Sequence, residues 1–263
     1  SHSINNRILR VDLTEGRTWT EAPGMEFYRK YVGGRMFIAH YLLKELPQGA
    51  DPLGPENMLI FAAGPVTGTP VPGNARHSVG AKSPMSGLYG ESEAGGYWGA
   101  ELKSAGWDGI IFTGKAEKPV YLWIKDDAVE IRDAAHLWGK ITGDVEAELR
   151  EELGDNRVRV TQIGPAGENL VRFACVVNDL NEFAGRAGMG AVMGSKNLKA
   201  IAVRGSTRPQ PADMEPLKRT AQWVARDTFA EGQPHYIFHE YGTGAMVKSQ
   251  AAGRARDLAQ LPR

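Results

Sequence analysis

Apolar and polar positions alternate through ILRVDLTEGRTWTEA, residues 8–22, on either side of Thr14-Glu15-Gly16, and this predicts a two-stranded hairpin. The period then lengthens. Phe27, Tyr31, Ile38, Tyr41, Leu42 and Leu46 recur at helical spacing, with Gly33-Gly34-Arg35 breaking the run by a loop or kink. The short runs MLIFAAG, RHSVGAK and DGIIFTG read as strands, and YLWIKDD with AVEIRD reads as a second hairpin. Helices are predicted at AGGYWGAELKSAG, residues 94–106, and at TGDVEAELREELG, residues 142–154, the latter ending on its glycine.

The pattern repeats. Gly99-Ala100, Ser104, Ile110 and Gly114 recur as Gly190-Ala191, Ser195, Ile201 and Gly205, all 91 residues later. LIFAAGPVTG (59–68) and VTQIGPAGEN (160–169) precede them in the same order, each a strand entering Gly-Pro. The expected fold is an α+β domain, internally duplicated about a pseudo-two-fold axis, with a pair of similar ligand sites. After Gly205, STRPQPADMEP reads as a linker, so residues 1–207 are expected to form the first domain. Residues 208–263 would open an incomplete helical domain with helices at 216–230 and 241–255, too short to bury their own apolar faces.

Composition narrows the chemistry. Of 263 residues, 31 are Lys or Arg and 31 Asp or Glu, so no overall field draws the chain to nucleic acid or an anionic membrane, and any anion must be held locally. The single cysteine, Cys175, excludes an intrachain disulfide framework and any four-cysteine zinc or iron–sulfur site built by this chain alone. A reducing compartment follows, and with no run of about 18 apolar residues a cytoplasmic protein is expected. The Ser1-His2-Ser3 start reads as an expression remnant rather than a signal peptide.

The candidate chemistry lies in two glycine-rich stretches. In NEFAGRAGMGAVMGSKNLKAIAV, residues 181–203, Gly-Ser-Lys runs in the wrong order for a P-loop, and the polar residues 178–182 stand where a dinucleotide fingerprint needs a strand. What remains is the physics those motifs share: close backbone approach to an anion, a helix N-terminus, and Arg186 as a bidentate cation. Tight helix-to-sheet contact is the competing explanation of the same glycines. The second stretch, residues 71–101, has seven glycines and suggests backbone lying against a large flat or polyanionic ligand; Arg76 and Lys82 are its nearest cations, and each reads equally as a solvated surface charge.

These segments resemble the N-terminal domain of the tungsten-containing aldehyde:ferredoxin oxidoreductase family. The resemblance runs from NRILRVDL (6–13) through DPLGPENMLIFAAGPVTGT, SVGAKSPMSG, EAGGYWGAELKSAGWDGIIFTGKAEKPVY and IGPAGENLVRFA to AGRAGMGAVMGSKNLKAIAV. It implies two β-sheets carrying two tungstopterin molecules, whose dithiolene sulfurs hold one tungsten and whose phosphates share a magnesium ion. It gives Arg76 a pterin-phosphate role and cofactor contacts to Gly95, Gly96, Glu182, Ala184, Gly185, Arg186 and Gly188. The backbone carbonyls of Glu93 and Phe183 fall where magnesium ligands lie. Similar enzymes carry Asn and Ala at these two positions and a basic residue where Glu182 stands. Side chains of this domain are not expected to ligate tungsten.

The implied activity is oxidation of an aldehyde or related carbonyl, with electrons passing through a 4Fe–4S cluster to ferredoxin. Cluster, acid–base groups and substrate pocket belong to helical domains absent from this chain. The chain is therefore expected to be a fragment, or a cofactor-binding subunit that needs a partner, with a homodimer as one assembly. A non-catalytic assembly module that keeps the fold without the cofactor is the alternative, favoured by Glu93 and Glu182. His77 is a weak acid–base candidate more readily read as packing, and Glu101 and Lys103 read as solvated helix charges.

Overall fold

The structure, a computed structural model, describes residues 3–228, 230–233, 235–247 and 250–251. The chain divides into two compact units, Ser1–Thr69 with Gly73–Ala212, and Pro70–Pro72 with Asp213–Arg263.

The first unit is built twice from one plan. Its first half comprises β1 (Ile8–Asp12), β2 (Arg17–Glu21), α1 (Met25–Tyr31), α2 (Gly34–Glu45), β3 (Leu59–Ala63), β4 (His77–Lys82), β5 (Tyr89–Ala94), α3 (Trp98–Ser104) and β6 (Gly109–Thr113). The second comprises β7 (Val120–Lys125), β8 (Ala128–Asp133), α4 (Thr142–Leu153), β9 (Arg159–Gln162), α5 (Pro165–Glu168), β10 (Val176–Asn178), β11 (Glu182–Ala184), α6 (Met189–Ser195) and β12 (Leu198–Arg204). The first half forms a sheet in the order β2-β1-β6-β3-β4-β5, and the second forms β8-β7-β12-β9-β10-β11, the same order strand for strand. In each sheet the hairpin strand pairs parallel with the last strand of its half, β1 with β6 and β7 with β12, and every other pairing is antiparallel. The duplication is thus a property of the topology. It is exact in α3 and α6, whose first and last residues each stand 91 apart.

Alternation along the strands decides the layers. Leu59, Phe61, Ile110 and Phe112 of one sheet and Leu122, Ile201 and Val203 of the other share a core with Trp98 and Leu102 of α3 and Met189, Val192 and Met193 of α6. Trp98 Nε1 crosses this core to donate to the Ile201 carbonyl at 3.1 Å. The intervening residues face outward, Ile60, Ala62 and Ile111 under Phe37, Ile38 and Tyr41 of α2. Tyr121, Trp123, Ala200 and Ala202 lie likewise under Val145 and Leu149 of α4. Both faces of each sheet are covered, which is why β3 and the centres of β6 and β12, Ile110–Phe112 and Ala200–Val203, are continuous apolar runs.

Most local expectations hold. α4 ends at Gly154 in the left-handed conformation (φ 65), and the helical run over 25–46 breaks between α1 and α2. A Cβ on Gly33 would stand 2.7 Å from the Ala63 carbonyl oxygen, so glycine lets the start of α2 close onto the end of β3. The helix expected over 94–106 occupies only Trp98–Ser104, because β5 pairs with β4 up to Ala94.

Three charges differ from expectation. Lys103 is 3% exposed and ion-paired with Asp108, not solvated. Glu101 accepts from Arg204 at 2.6 Å and from the Gly205 amide at 2.8 Å, tying α3 to the end of β12. Lys82 donates to the Ala50 carbonyl at 2.6 Å and serves that loop instead of an anion.

In the second unit α7 spans Met214–Trp223, with Asp213 accepting from the Glu215 amide at 3.0 Å as N-cap, and runs into a wider turn over Val224–Thr228. The next helix, α8, starts at Tyr236 instead of 241 and ends at Tyr241, where Gly242 turns the chain (φ 56) into a tighter turn over Gly242–Ala245. Residues 248, 249 and 252–255 of that expected helix lie outside the described residues. No helix among the described residues is long and apolar enough to cross a membrane.

Candidate functional site

The glycines of the 185–194 stretch divide into two kinds. A Cβ on Gly190 would run into the Cys175 carbonyl, one on Gly194 into the Gly167 carbonyl, and one on Gly188 into the Arg172 carbonyl. These three let α6 lie directly on the 167–175 backbone, and Gly188 also turns the chain at φ 74. Gly185 differs, because nothing stands within 4 Å of where its Cβ would be. Close contact explains three of the four, and open space at a cleft explains the fourth.

That cleft forms where the two halves meet. β5 and β11 are the edge strands of their sheets, and each ends on a buried alanine, Ala94 paired with His77 and Ala184 paired with Val176. Glu93 and Phe183 precede those alanines and occupy equivalent positions of the duplicated plan. The loops after them are stitched across the halves. The Arg186 amide donates to Ser92 Oγ at 3.1 Å, and the Ser83 hydroxyl donates to the Ala187 carbonyl at 2.9 Å. In the other direction Asn178 Nδ2 donates to the Gly95 carbonyl at 3.1 Å, and the Tyr97 amide donates to Asp179 Oδ2 at 2.6 Å.

Asp179 is set for that bond. It and Leu180 hold left-handed backbone (φ 45 and 64), an arrangement that persists only where surroundings enforce it. A Cβ on Gly96 (φ 80) would stand 2.5 Å from the same carboxylate oxygen, and one on Gly95 would stand 2.7 Å from Glu182 Oε2. The Arg159 guanidinium, 3.6 Å from Asp179 Oδ1, lies 4.4 Å over the Tyr97 ring. Asp179→Ala is therefore expected to speed amide exchange at Tyr97 by about tenfold, the loss of one charge-assisted hydrogen bond, while exchange in β12 is unchanged. Hydrogen–deuterium exchange resolved to that peptide reads the difference.

A cavity of about 400 Å³ opens between these edges, lined by Arg76, Glu93, Phe183, Gly185 and Arg186, all singled out from the sequence. Ser92, Glu91 and Arg35 complete its wall. Gly95 and Gly96 lie in the adjoining stitched loop with Glu182, the first residue of β11, against them, whereas Ala184 faces the core and Gly188 lies against Arg172. The Arg76 and Arg186 side chains make no ion pair or hydrogen bond among the described residues. Arg35 does, its Nη2 standing 2.6 Å from Glu93 Oε1 and 4.0 Å from Glu91 Oε2. It was legible only as part of a helix break.

His77 is 2% exposed, between Phe61 and Trp98, with ring centroids 6.2 and 4.6 Å away. Neither ring nitrogen has a partner, and burial pushes its pKa down to about 3, so it is neutral near pH 7 and packs instead of exchanging protons. Cys175 is free and half-buried, its thiol pushed up by burial. Among the described residues no group of three or more His, Cys, Asp or Glu is placed to hold a metal.

Residues 8–205 match the family model described as aldehyde ferredoxin oxidoreductase, N-terminal domain. The tungsten-containing aldehyde ferredoxin oxidoreductase of Thermococcus kodakarensis is 54% identical over 245 residues, covering 92% of this chain and 40% of that protein. The aliphatic sulfonate oxidoreductase, WOR-like subunit, of Pyrococcus furiosus is 39% identical over 260 residues, covering 93% of this chain and 41% of that one. Among solved structures, a chain of the active-site complex BamBC of benzoyl coenzyme A reductase, in complex with 1,5-dienoyl-CoA, superposes with a TM-score of 0.83 at 40% identity. That match covers 90% of this chain and 35% of the other. The chain spans about two fifths of the length of these curated relatives. It belongs, on residues 8–205, to the aldehyde ferredoxin oxidoreductase family.

Proposed function

We propose that this chain is the cofactor-binding part of an aldehyde or related carbonyl oxidoreductase that uses a bis-pterin tungsten centre. One observation carries the reading: two equivalent strand ends converge on one cleft that holds two guanidinium groups without carboxylate partners and a glycine whose missing side chain leaves open space. A ligand bearing two phosphates fits that set, with Arg76 and Arg186 as charge-assisted donors and the open face of Gly185 admitting it to the backbone. The carbonyls of Glu93 and Phe183, at equivalent positions, would supply oxygen donors to a magnesium ion between the phosphates. Gly95, Gly96 and Glu182 shape the adjoining wall, with Ala184 and Gly188 fixing its backbone from below.

When bound, the cofactor supplies the two-electron oxidation of the carbonyl group. The residues of this chain bind it, neutralise its phosphates and orient it. Residues 1–207 then form the cofactor domain and 208–263 open the next, helical one. Substrate pocket, 4Fe–4S cluster and delivery of electrons to ferredoxin lie in further domains or a partner subunit; the Thermococcus relative is a ferredoxin oxidoreductase and the Pyrococcus relative is itself a subunit. A cytoplasmic setting belongs to the same reading.

Metal and pterin analysis of the full-length protein, produced in a tungstate-supplied host, tests it. Tungsten with pterin is expected, and Arg76→Ala combined with Arg186→Ala should lower both at least about tenfold, as befits loss of two charge-assisted contacts. A folded protein that carries neither tungsten nor molybdenum would instead support the assembly module, the reading favoured by the Glu182 carboxylate beside Gly95.

A further inference from the structure

The cleft that takes anions in this reading carries two carboxylates of its own. Residues 91 and 93 fall on one face of β5, so Glu91 and Glu93 both line it, and Glu91 Oε1 is buried without a partner. Glu93 brings to the wall a charge that repels a phosphate. The wall holds three guanidiniums against two carboxylates, and removing one guanidinium leaves no excess of positive charge.

Arg35 is built into place from three sides. The close approach of Gly33 to the Ala63 carbonyl seats the first turn of α2 against β3. The Tyr89 hydroxyl donates to the Arg35 carbonyl at 3.1 Å, and the guanidinium reaches Glu93 at 2.6 Å. The Arg35 and Glu93 side chains remain 61% and 35% exposed, and an ion pair that wet adds little to stability, so its consequence lies in the field of the cleft. A second cavity of about 370 Å³, between the start of α2 and residues 64–67 and 74–76, shares Arg35, Arg76 and Glu93 with the first, so the Arg35–Glu93 pair bears on the charge of both.

We infer that Arg35 is the charge-compensating residue of the cleft: by holding Glu93, it leaves Arg76 and Arg186 free to take a phosphate-bearing ligand. Arg35 acts through Glu93 and is a positioning residue, without itself needing to touch the ligand. The inference rests on the reading of the cleft as a phosphate site, not on which cofactor carries the phosphates.

The test is a double-mutant cycle on the full-length protein, read by binding of inorganic pyrophosphate to the cofactor-free form and by tungsten content of the loaded form. Arg35→Ala is expected to weaken pyrophosphate binding by about tenfold or more, as an uncompensated charge a few ångströms from an anion does near a protein surface. Adding Glu93→Gln should restore most of the loss, and Glu93→Gln alone should bind at least as tightly as the native protein. Melting temperatures should agree across the set, because the pair is exposed. Unchanged binding in Arg35→Ala overturns the inference, as does a loss that Glu93→Gln fails to restore, since Arg35 would then act on the ligand directly. If the cycle behaves as expected but the protein carries no tungsten, the compensation stands and the cofactor assignment falls.

Discussion

Gly194→Ala is expected to lower the melting temperature and soluble yield severely, whereas Gly185→Val, a larger change nine residues earlier in the same motif, should leave the melting temperature within a few degrees of native. The methyl group in Gly194→Ala has nowhere to go, because the Gly167 carbonyl occupies its place and the Glu168 amide lies 3.2 Å from it. Neither neighbour is a flexible side-chain end, so α6 must lift from the 167–168 backbone and open the core around Met189, Val192 and Met193. Overpacking of a well-filled core costs about 1–3 kcal/mol, and forcing backbone apart exceeds that, so about 4 kcal/mol is expected. That is a large fraction of the ~5–15 kcal/mol that keeps a domain folded. At Gly185 the added Cβ enters the open cleft, with no protein atom within 4 Å of it. Its effect should appear in cofactor content, lowered at least about tenfold by a clash with the bound group. Thermal melts and soluble yield read the first variant, and tungsten analysis reads the second. Similar losses of stability in both would mean that the motif is wholly a packing device.

The division within that one motif shows what the sequence could and could not convey. The duplicated plan was visible because Gly99 and Gly190 answer the same need: a Cβ on Gly99 would stand 3.2 Å from the Ala75 carbonyl, as one on Gly190 would meet that of Cys175. Such contacts fix residue type, and residue type survives in a repeat. β5 was not visible, since the side it buries carries Gly90, Ser92 and Ala94 while Tyr89, Glu91 and Glu93 take the other side, so strand alternation is present without a hydrophobic stripe. β10 and β11, three residues each, are too short to show any period. Arg35 read as a helix interruption because its partner lies 58 residues away. Lys103 read as a solvated charge for the same reason, although Asp108 accepts it inside the protein. Where a role depends on one neighbour distant in sequence, composition and period carry no trace of it. Where it depends on the absence of a side chain, the glycine itself is the trace.

His77→Phe should make the protein resistant to acid. The native imidazole is buried without a partner on either nitrogen, and its folded pKa of about 3 lies below the ~6.5 of an unfolded histidine. Below pH 6.5 the unfolded chain takes up a proton that the folded protein refuses, so protons favour unfolding. Stability is complete above pH 6.5 and falls by about 1.4 kcal/mol per pH unit until the folded group itself titrates near pH 3, about 5 kcal/mol in all. Phenylalanine has nearly the same shape, can stack on Phe61 and Trp98, and carries neither the titration nor the two unpaired nitrogens. At pH 7 it should stabilise by about 1 kcal/mol, the desolvation of unpartnered polar atoms that it removes. Urea unfolding at pH 7, 5.5 and 4 checks both parts, because the gap between variant and native must widen as pH falls. Curves that stay parallel would show that acid reaches another group first, with the carboxylates paired to Arg10 and Arg204 the next to examine. Because His77 directly follows Arg76 in the chain, the same variant also shows whether a neutral ring at 77 matters to the cleft: tungsten content equal to native in His77→Phe would place the histidine wholly in the core.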